Sequence, residues 1–168
     1  MNLILCGMMG CGKSTVGGCL AKLTSREYVD TDAVIVEKYG RIADIFERFG
    51  EGYFRDLETE TVKTLTKKQA LIIATGGGLI LKQENVDLLK DGGKIVFLRA
   101  KIDTLFKRLQ SDKERPLLQD AEDLRKRLEK LLSERTKRYE EAADLIVDVD
   151  DKSPEEIAGE IVKRIGQV

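Results

Sequence analysis

The sequence has no histidine among its 168 residues. That excludes a histidine-based catalytic triad, an imidazole proton relay and a histidine-ligated metal centre. Any proton handling falls to carboxylates, lysine or water. Cysteine is scarce too, with only Cys6, Cys11 and Cys19, all within the first twenty positions. An odd number, with neither a C-x-x-C pair nor zinc spacing, argues against a disulfide framework or a zinc site. Core or loop thiols in a reducing compartment are the ordinary reading. Neither sign of charge dominates: 29 basic and 30 acidic residues leave a formal net charge of -1. Without a basic excess, nothing points to nucleic acid or a membrane surface, and any anion site is local. Long apolar runs are missing. Leu3-Ile4-Leu5 is too short for a signal peptide, and no segment approaches the roughly 18 apolar residues of a membrane span. Repeats, low-complexity tracts and proline- or serine-rich linkers are absent. The expectation is a soluble cytoplasmic protein without nucleic-acid or membrane partners.

What is present is a globular composition, 42% hydrophobic and 35% charged. The length suits one domain, 1–168, with a full core. Short apolar runs recur between helical patterns: Leu3-Ile4-Leu5-Cys6, Tyr28-Val29, Leu71-Ile72-Ile73-Ala74, Ile95-Val96-Phe97-Leu98 and Leu145-Ile146-Val147. Uniformly apolar runs of this length suit parallel strands buried on both faces. A last helix is expected after a Ser153 cap and Pro154, with Ile157, Ile161, Val162 and Ile165 on its apolar face. Strands alternating with helices predict an α/β fold with an open parallel sheet. Residues 32–67 carry three helical patterns and no strand, and read as an insertion over the sheet. Residues 110–122 are polar, contain a proline and precede a long charged helix, as a mobile lid does.

Residues 7–14, Gly7-Met8-Met9-Gly10-Cys11-Gly12-Lys13-Ser14, match G-x-x-x-x-G-K-[ST] between an apolar strand and an amphipathic stretch. Glycines let the backbone curl its N–H groups toward phosphate oxygens, and the following helix adds partial positive charge. Gly10, Cys11, Gly12, Lys13, Ser14 and Thr15 are therefore the expected residues for binding a nucleoside triphosphate. Lys13 meets the β- and γ-phosphates, and the Ser14 hydroxyl meets Mg²⁺. Gly17 and Gly18 sit inside the following helix, each at a cost of roughly 1 kcal/mol relative to Ala. Close packing on the sheet accounts for one of them but not both.

A phosphate loop alone does not distinguish motor, switch and kinase. Further along comes Asp30-Thr31-Asp32, after the second expected strand, where ligands of open parallel sheets bind. One carboxylate is placed to hold a metal-bound water and the other to contact an acceptor hydroxyl; Asp32 as a plain helix N-cap is the alternative. Thr75-Gly76-Gly77-Gly78 follows a buried strand and offers bare backbone to a small ligand. Arg55, Arg115 and Arg135 are candidates for bidentate pairing with a carboxylate or phosphate. Each alone also reads as a solvated surface charge, as Arg125, Arg127 and Arg138 do.

In order and spacing these motifs resemble the shikimate kinase family, from about Leu3 to Asp148. The resemblance is carried by GMMGCGKSTVG at 7–17, DTD at 30–32, IADIFERFGEGYFRDLE at 42–58, TGGG at 75–78, RPLL at 115–118 and ERTKRYEEAAD at 134–144. It implies transfer of the ATP γ-phosphate to the 3-hydroxyl of shikimate, a step of chorismate and aromatic amino-acid biosynthesis. It implies Asp32 on the substrate hydroxyls, Arg55 and Arg135 on the substrate carboxylate, and Gly76, Gly77 and Gly78 lining the pocket. Arg115 would reach the phosphates from the lid, and Asp30 would hold Mg²⁺ through water. Arg108 and the region near Pro154 would border the adenine. The implied fold is that of nucleoside monophosphate kinases, a three-layer α/β/α P-loop kinase with five parallel strands in order 2-3-1-4-5, usually monomeric. One position departs: Gly18 stands where the family usually has a basic residue. Rival readings are another small-molecule kinase of this fold, such as a gluconate kinase, and a non-catalytic nucleotide-binding regulator. A GTPase is disfavoured, because no base-reading Asn-Lys-x-Asp motif occurs.

Overall fold

A computed structural model describes residues 1–111 and 121–166. Five parallel strands form one sheet: β1 (Asn2–Cys6), β2 (Glu27–Asp30), β3 (Leu71–Ala74), β4 (Gly93–Arg99) and β5 (Leu145–Asp148), in the order β2-β3-β1-β4-β5. The order expected from the resemblance is the one observed. The helices are α1 (Lys13–Thr24), α2 (Thr31–Tyr39), α3 (Ile42–Leu65), α4 (Gln83–Gly92), α5 (Ile102–Gln110), α6 (Ala121–Ala142) and α7 (Pro154–Ile165). A short 3₁₀ turn spans Leu79–Leu81. Every residue of β1 and of β3 is buried. Successive side chains of a strand point to opposite faces, so the helices cover both faces of the sheet. β2, at the edge, is only half-buried, which its mixed sequence Glu27-Tyr28-Val29-Asp30 reflects.

α1 and α7 pack together beside the sheet, while α3 and α4 form a second group with the 3₁₀ turn and α5 pairs with α6. α7 opens as expected: the Ser153 side chain accepts from Glu156 N, Glu156 answers at the Ser153 N–H, and Pro154 holds the first turn. Its apolar face differs from expectation. Ile157, Ala158 and Ile161 are buried, whereas Val162 is 42% exposed. Ala158, not in the expected set, is fully buried in its stead.

The stretch 32–67 holds three helical segments, because α3 breaks at Gly50, where φ is 84°. Ile35 from α2 and Ile45, Phe54 and Leu57 from α3 form a small core of their own. Among the described residues no helix is long and apolar enough to cross a membrane.

The topology positions the site. β1 connects through α1 to β2 on one side, and β3 connects through α4 to β4 on the other. Their carboxyl ends therefore flank the crevice where connections diverge, the ligand position of open α/β sheets. Thr75 N–H donates to Leu5 O at 3.0 Å and ties the two ends together.

Candidate active site

The loop from Gly7 to Gly12 turns back on itself through left-handed backbone. φ is 81° at Gly10 and 99° at Gly12, values that strain any side-chain-bearing residue. At Gly7 a Cβ would stand 2.7 Å from Leu98 O and 2.8 Å from Cys11 Sγ, so space and conformation both demand glycine. α1 then begins with no side-chain cap and no acidic residue in its first turn. Its leading N–H groups and dipole face the crevice, as an anion site requires. Lys13 arches over the loop, donating to Gly7 O at 2.7 Å and Met8 O at 3.1 Å. Cys11 is buried beneath, with its Sγ 3.8 Å from Lys13 Nζ. Ser14 and Thr15 are exposed at the start of the helix. The Cys6 thiol is held well above its usual pKa, chiefly by burial, so it stays a neutral core group.

Asp30 ends β2 and caps α2: its Oδ1 accepts from Asp32 N at 2.8 Å and Ala33 N at 3.1 Å. The capping alternative considered for Asp32 thus belongs to Asp30. Asp32 lies in the first turn of α2, with its Oδ1 against the α-carbon of Gly76, where a Cβ would stand 2.7 Å away. Between them, buried Thr31 accepts from Gly76 N at 3.0 Å and fastens α2 to the glycine turn.

Each glycine of Gly76-Gly77-Gly78 makes room for a different charged group. A Cβ at Gly76 would meet Asp32 Oδ1 and, at 3.2 Å, Glu58 Oε1. At Gly77 it would meet Arg135 Nη1 at 3.2 Å, and at Gly78 Arg55 Nη1 at 2.5 Å. None of the three has positive φ. Their glycine is required by space, which sharpens the sequence reading: the bare backbone here accommodates the chain's own carboxylates and guanidiniums. Gly77 O accepts from Tyr139 at 2.6 Å, and the Tyr139 ring stacks on Phe97 with centroids 5.0 Å apart. Burial drives the Tyr139 pKa up, so it remains a hydrogen-bond donor.

Arg55 donates to Glu58 Oε2 at 2.8 Å and to Glu51 Oε1 at 3.2 Å. Burial opposes its charge, but the two carboxylates outweigh that and leave its pKa raised. Glu58 is almost fully buried, at 1% exposure. Burial raises its carboxyl pKa, Arg55 pulls it back, and the nearby Asp32 charge adds to the rise. The sequence reading missed Glu58 as a site residue. The signal available was its i,i+3 spacing from Arg55, which on a helix puts both on one face.

One cavity of about 710 Å³ is lined by loop residues from Met9 to Val16, by Asp30 and Asp32, by Thr75 to Gly78, and by Arg108, Arg135 and Pro154. Leu109, Ser111 and Ile157 complete its wall; Leu109 went unnoticed in the sequence, Ser111 falls in the expected lid, and Ile157 was expected only on an apolar helix face. Arg108 also grips the loop from outside, donating to Cys11 O at 3.1 Å and Gly10 O at 3.3 Å. Arg55 stands behind Gly78 and is not part of that wall. Arg115, with most of the segment expected to act as a lid, lies outside the described residues.

A glycine-curled anion loop, a crossover through α1 to two carboxylates and guanidiniums beyond them mark a P-loop phosphotransferase. A family model described as shikimate kinase matches residues 9–166. The chain is 44% identical over 163 residues to a shikimate kinase of Thermodesulfovibrio yellowstonii, covering 96% of this chain and 93% of that one. A shikimate kinase from Acinetobacter baumannii, solved in complex with shikimate, is similar at a TM-score of 0.89 and 39% identity, covering 99% of this chain and 93% of that one. The enzyme from Aquifex aeolicus is similar at a TM-score of 0.82 and 34% identity, covering 99% and 97%. The chain belongs to the shikimate kinase family.

Proposed function

We infer that this chain transfers the γ-phosphate of ATP to the 3-hydroxyl of shikimate. The observation that carries the reading is the convergence, around one cavity, of the phosphate loop, Asp32 and Arg135, with Arg55 held behind the glycine turn. Shikimate is a small carboxylated triol. Arg55 and Arg135 supply paired donors for its carboxylate, Asp32 accepts from ring hydroxyls, and the Gly76–Gly78 turn flanks the ring. Phosphoryl transfer asks for positioning and charge neutralisation more than for a protein nucleophile. Lys13 neutralises the migrating phosphoryl group once it leaves Gly7 O and Met8 O for the nucleotide. Asp32 orients the attacking hydroxyl and accepts its hydrogen bond. Arg108, Pro154 and Ile157 border the base; the phosphate role expected for Arg115 falls outside the described residues.

Magnesium fits the donor set. Ser14 offers a hydroxyl and Asp30 a carboxylate of which one oxygen is committed to capping α2. Among the described residues no group of three cysteine, aspartate or glutamate side chains could hold a metal by itself. Mg²⁺ suits such a place, since it keeps several waters and binds through one or two protein oxygens plus substrate phosphates. When bound it would screen charge on the β- and γ-phosphates. We place the enzyme in the cytoplasm as a monomer.

The test is a coupled ADP-release assay on purified protein with Mg²⁺, ATP and either shikimate or gluconate. Turnover with shikimate and none with gluconate is expected; the reverse pattern overturns the substrate assignment.

A further inference from the structure

Tyr28 is a polar residue to which phosphoryl transfer assigns no task. It stands two residues before Asp30 on β2, so the two side chains leave the same face of the sheet. α1 covers that face: a Cβ at Gly17 would lie 2.3 Å from Tyr28 Cε2 and 2.8 Å from Cδ2, so the ring rests on bare helix backbone. Ser14 lies three residues before Gly17, on the same side of the helix. Two elements thus bring four residues together, Ser14 and Gly17 on α1 and Tyr28 and Asp30 on β2. The phenol oxygen is carried toward Ser14 and Asp30, the two side chains that interact with it from α1 and from its own strand. That oxygen is buried and makes no hydrogen bond of ordinary geometry with any described group. Buried hydroxyls are nearly always paired, and an unpaired one costs stability that phenylalanine would not.

We propose that the Tyr28 hydroxyl is a positioning group of the magnesium–nucleotide site, accepting a hydrogen bond from a metal-bound water and donating its own hydrogen to the Asp30 carboxylate. The assignment rests on the metal–nucleotide reading given above. Tyr28 touches no reacting atom. It orders the Asp30 carboxylate and the water between that carboxylate and the metal, as partners outside the ligand shell of metal sites do.

Tyr28→Phe keeps the ring on Gly17 and removes only the oxygen. ADP binding is measured by calorimetry with and without Mg²⁺ for both proteins. Metal-free ADP affinity should stay within about twofold of wild type. The tightening that Mg²⁺ confers should fall about fivefold or more, the size of one hydrogen bond. The ligand-free variant should melt no lower than wild type. Equal metal dependence in the two proteins overturns the proposal. So does a variant that loses metal-free ADP affinity or thermal stability, since Tyr28 is then a packing residue. Wild-type protein with no Mg²⁺-dependent tightening removes the metal reading itself, and the Tyr28 assignment falls with it.

Discussion

At the scale of single residues, the site is shaped by what glycine omits. Gly78 leaves the space that the Arg55 guanidinium fills, and an alanine Cβ would stand 2.5 Å from Nη1 and 2.7 Å from Nη2. The obstacle is the far end of a flexible side chain, so the arginine swings aside and the fold survives. Gly78→Ala should therefore mimic loss of Arg55. Shikimate KM should rise about tenfold or more, as loss of a charge-assisted pair worth roughly 1.5–3 kcal/mol requires, with ATP KM unchanged. Unchanged shikimate KM in steady-state assays would separate Arg55 from the acceptor. Glu58 beside it yields a pH prediction. Its folded pKa is raised above the ordinary 4.5, by burial first. The folded chain then holds the proton more tightly than the unfolded chain, so this group's contribution is full below about pH 4.5 and is lost as pH climbs through the raised value. Relative to Glu58→Gln, wild type should lose stability as pH rises from about 4.5, and the gap should level off once Glu58 is charged in both states. Urea midpoints across a pH series measure that gap, and a pH-independent gap contradicts the raised carboxyl.

Among the elements, α1 offers the sharpest contrast, because two neighbouring glycines have opposite reasons. Gly17 lies under the Tyr28 ring, where a Cβ would clash at 2.3 Å, while around Gly18 nothing stands within 4 Å. Gly17→Ala should destabilise by about 1–3 kcal/mol through overpacking. Gly18→Ala should stabilise by up to about 1 kcal/mol, the helix-propensity difference, and leave kcat alone. Denaturant midpoints at constant m-value test both signs together. This pair also marks where sequence reading stops. The strands, the phosphate loop, the Ser153–Pro154 helix start and the motif order were legible because each is a local pattern. Which glycine packs, which aspartate caps α2, and that Val162 faces outward were not, since each depends on what another element brings. Glu58 and Tyr28 were hidden for the same reason. An acid on a charged helix and an aromatic in an edge strand look ordinary until Arg55, Asp32 and Gly17 are placed beside them.

Across the whole molecule, the two halves of the site are built on separate supports. The donor half stands on the β1–α1 loop and is braced by Arg108 from α5. The proposed acceptor half stands on α2, α3, α6 and the turn after β3. They approach each other at Gly7 and Gly77, where a Cβ on Gly77 would lie 3.9 Å from Gly7 O. Separate supports imply separable binding. A ligand at one hundred times its Kd stabilises the folded state by about 2.7 kcal/mol, roughly 5–10 °C for a chain of this size. Lys13→Ala should lose the thermal shift produced by magnesium–ATP while keeping the shift produced by shikimate. Arg55→Ala should show the converse. Lys13→Ala should also abolish turnover, because charge on the transferring phosphoryl group is no longer neutralised. Melting curves for both variants with each ligand alone decide the matter. If either substitution removes both shifts, the halves are one cooperative unit, and the division of the site between two supports is wrong.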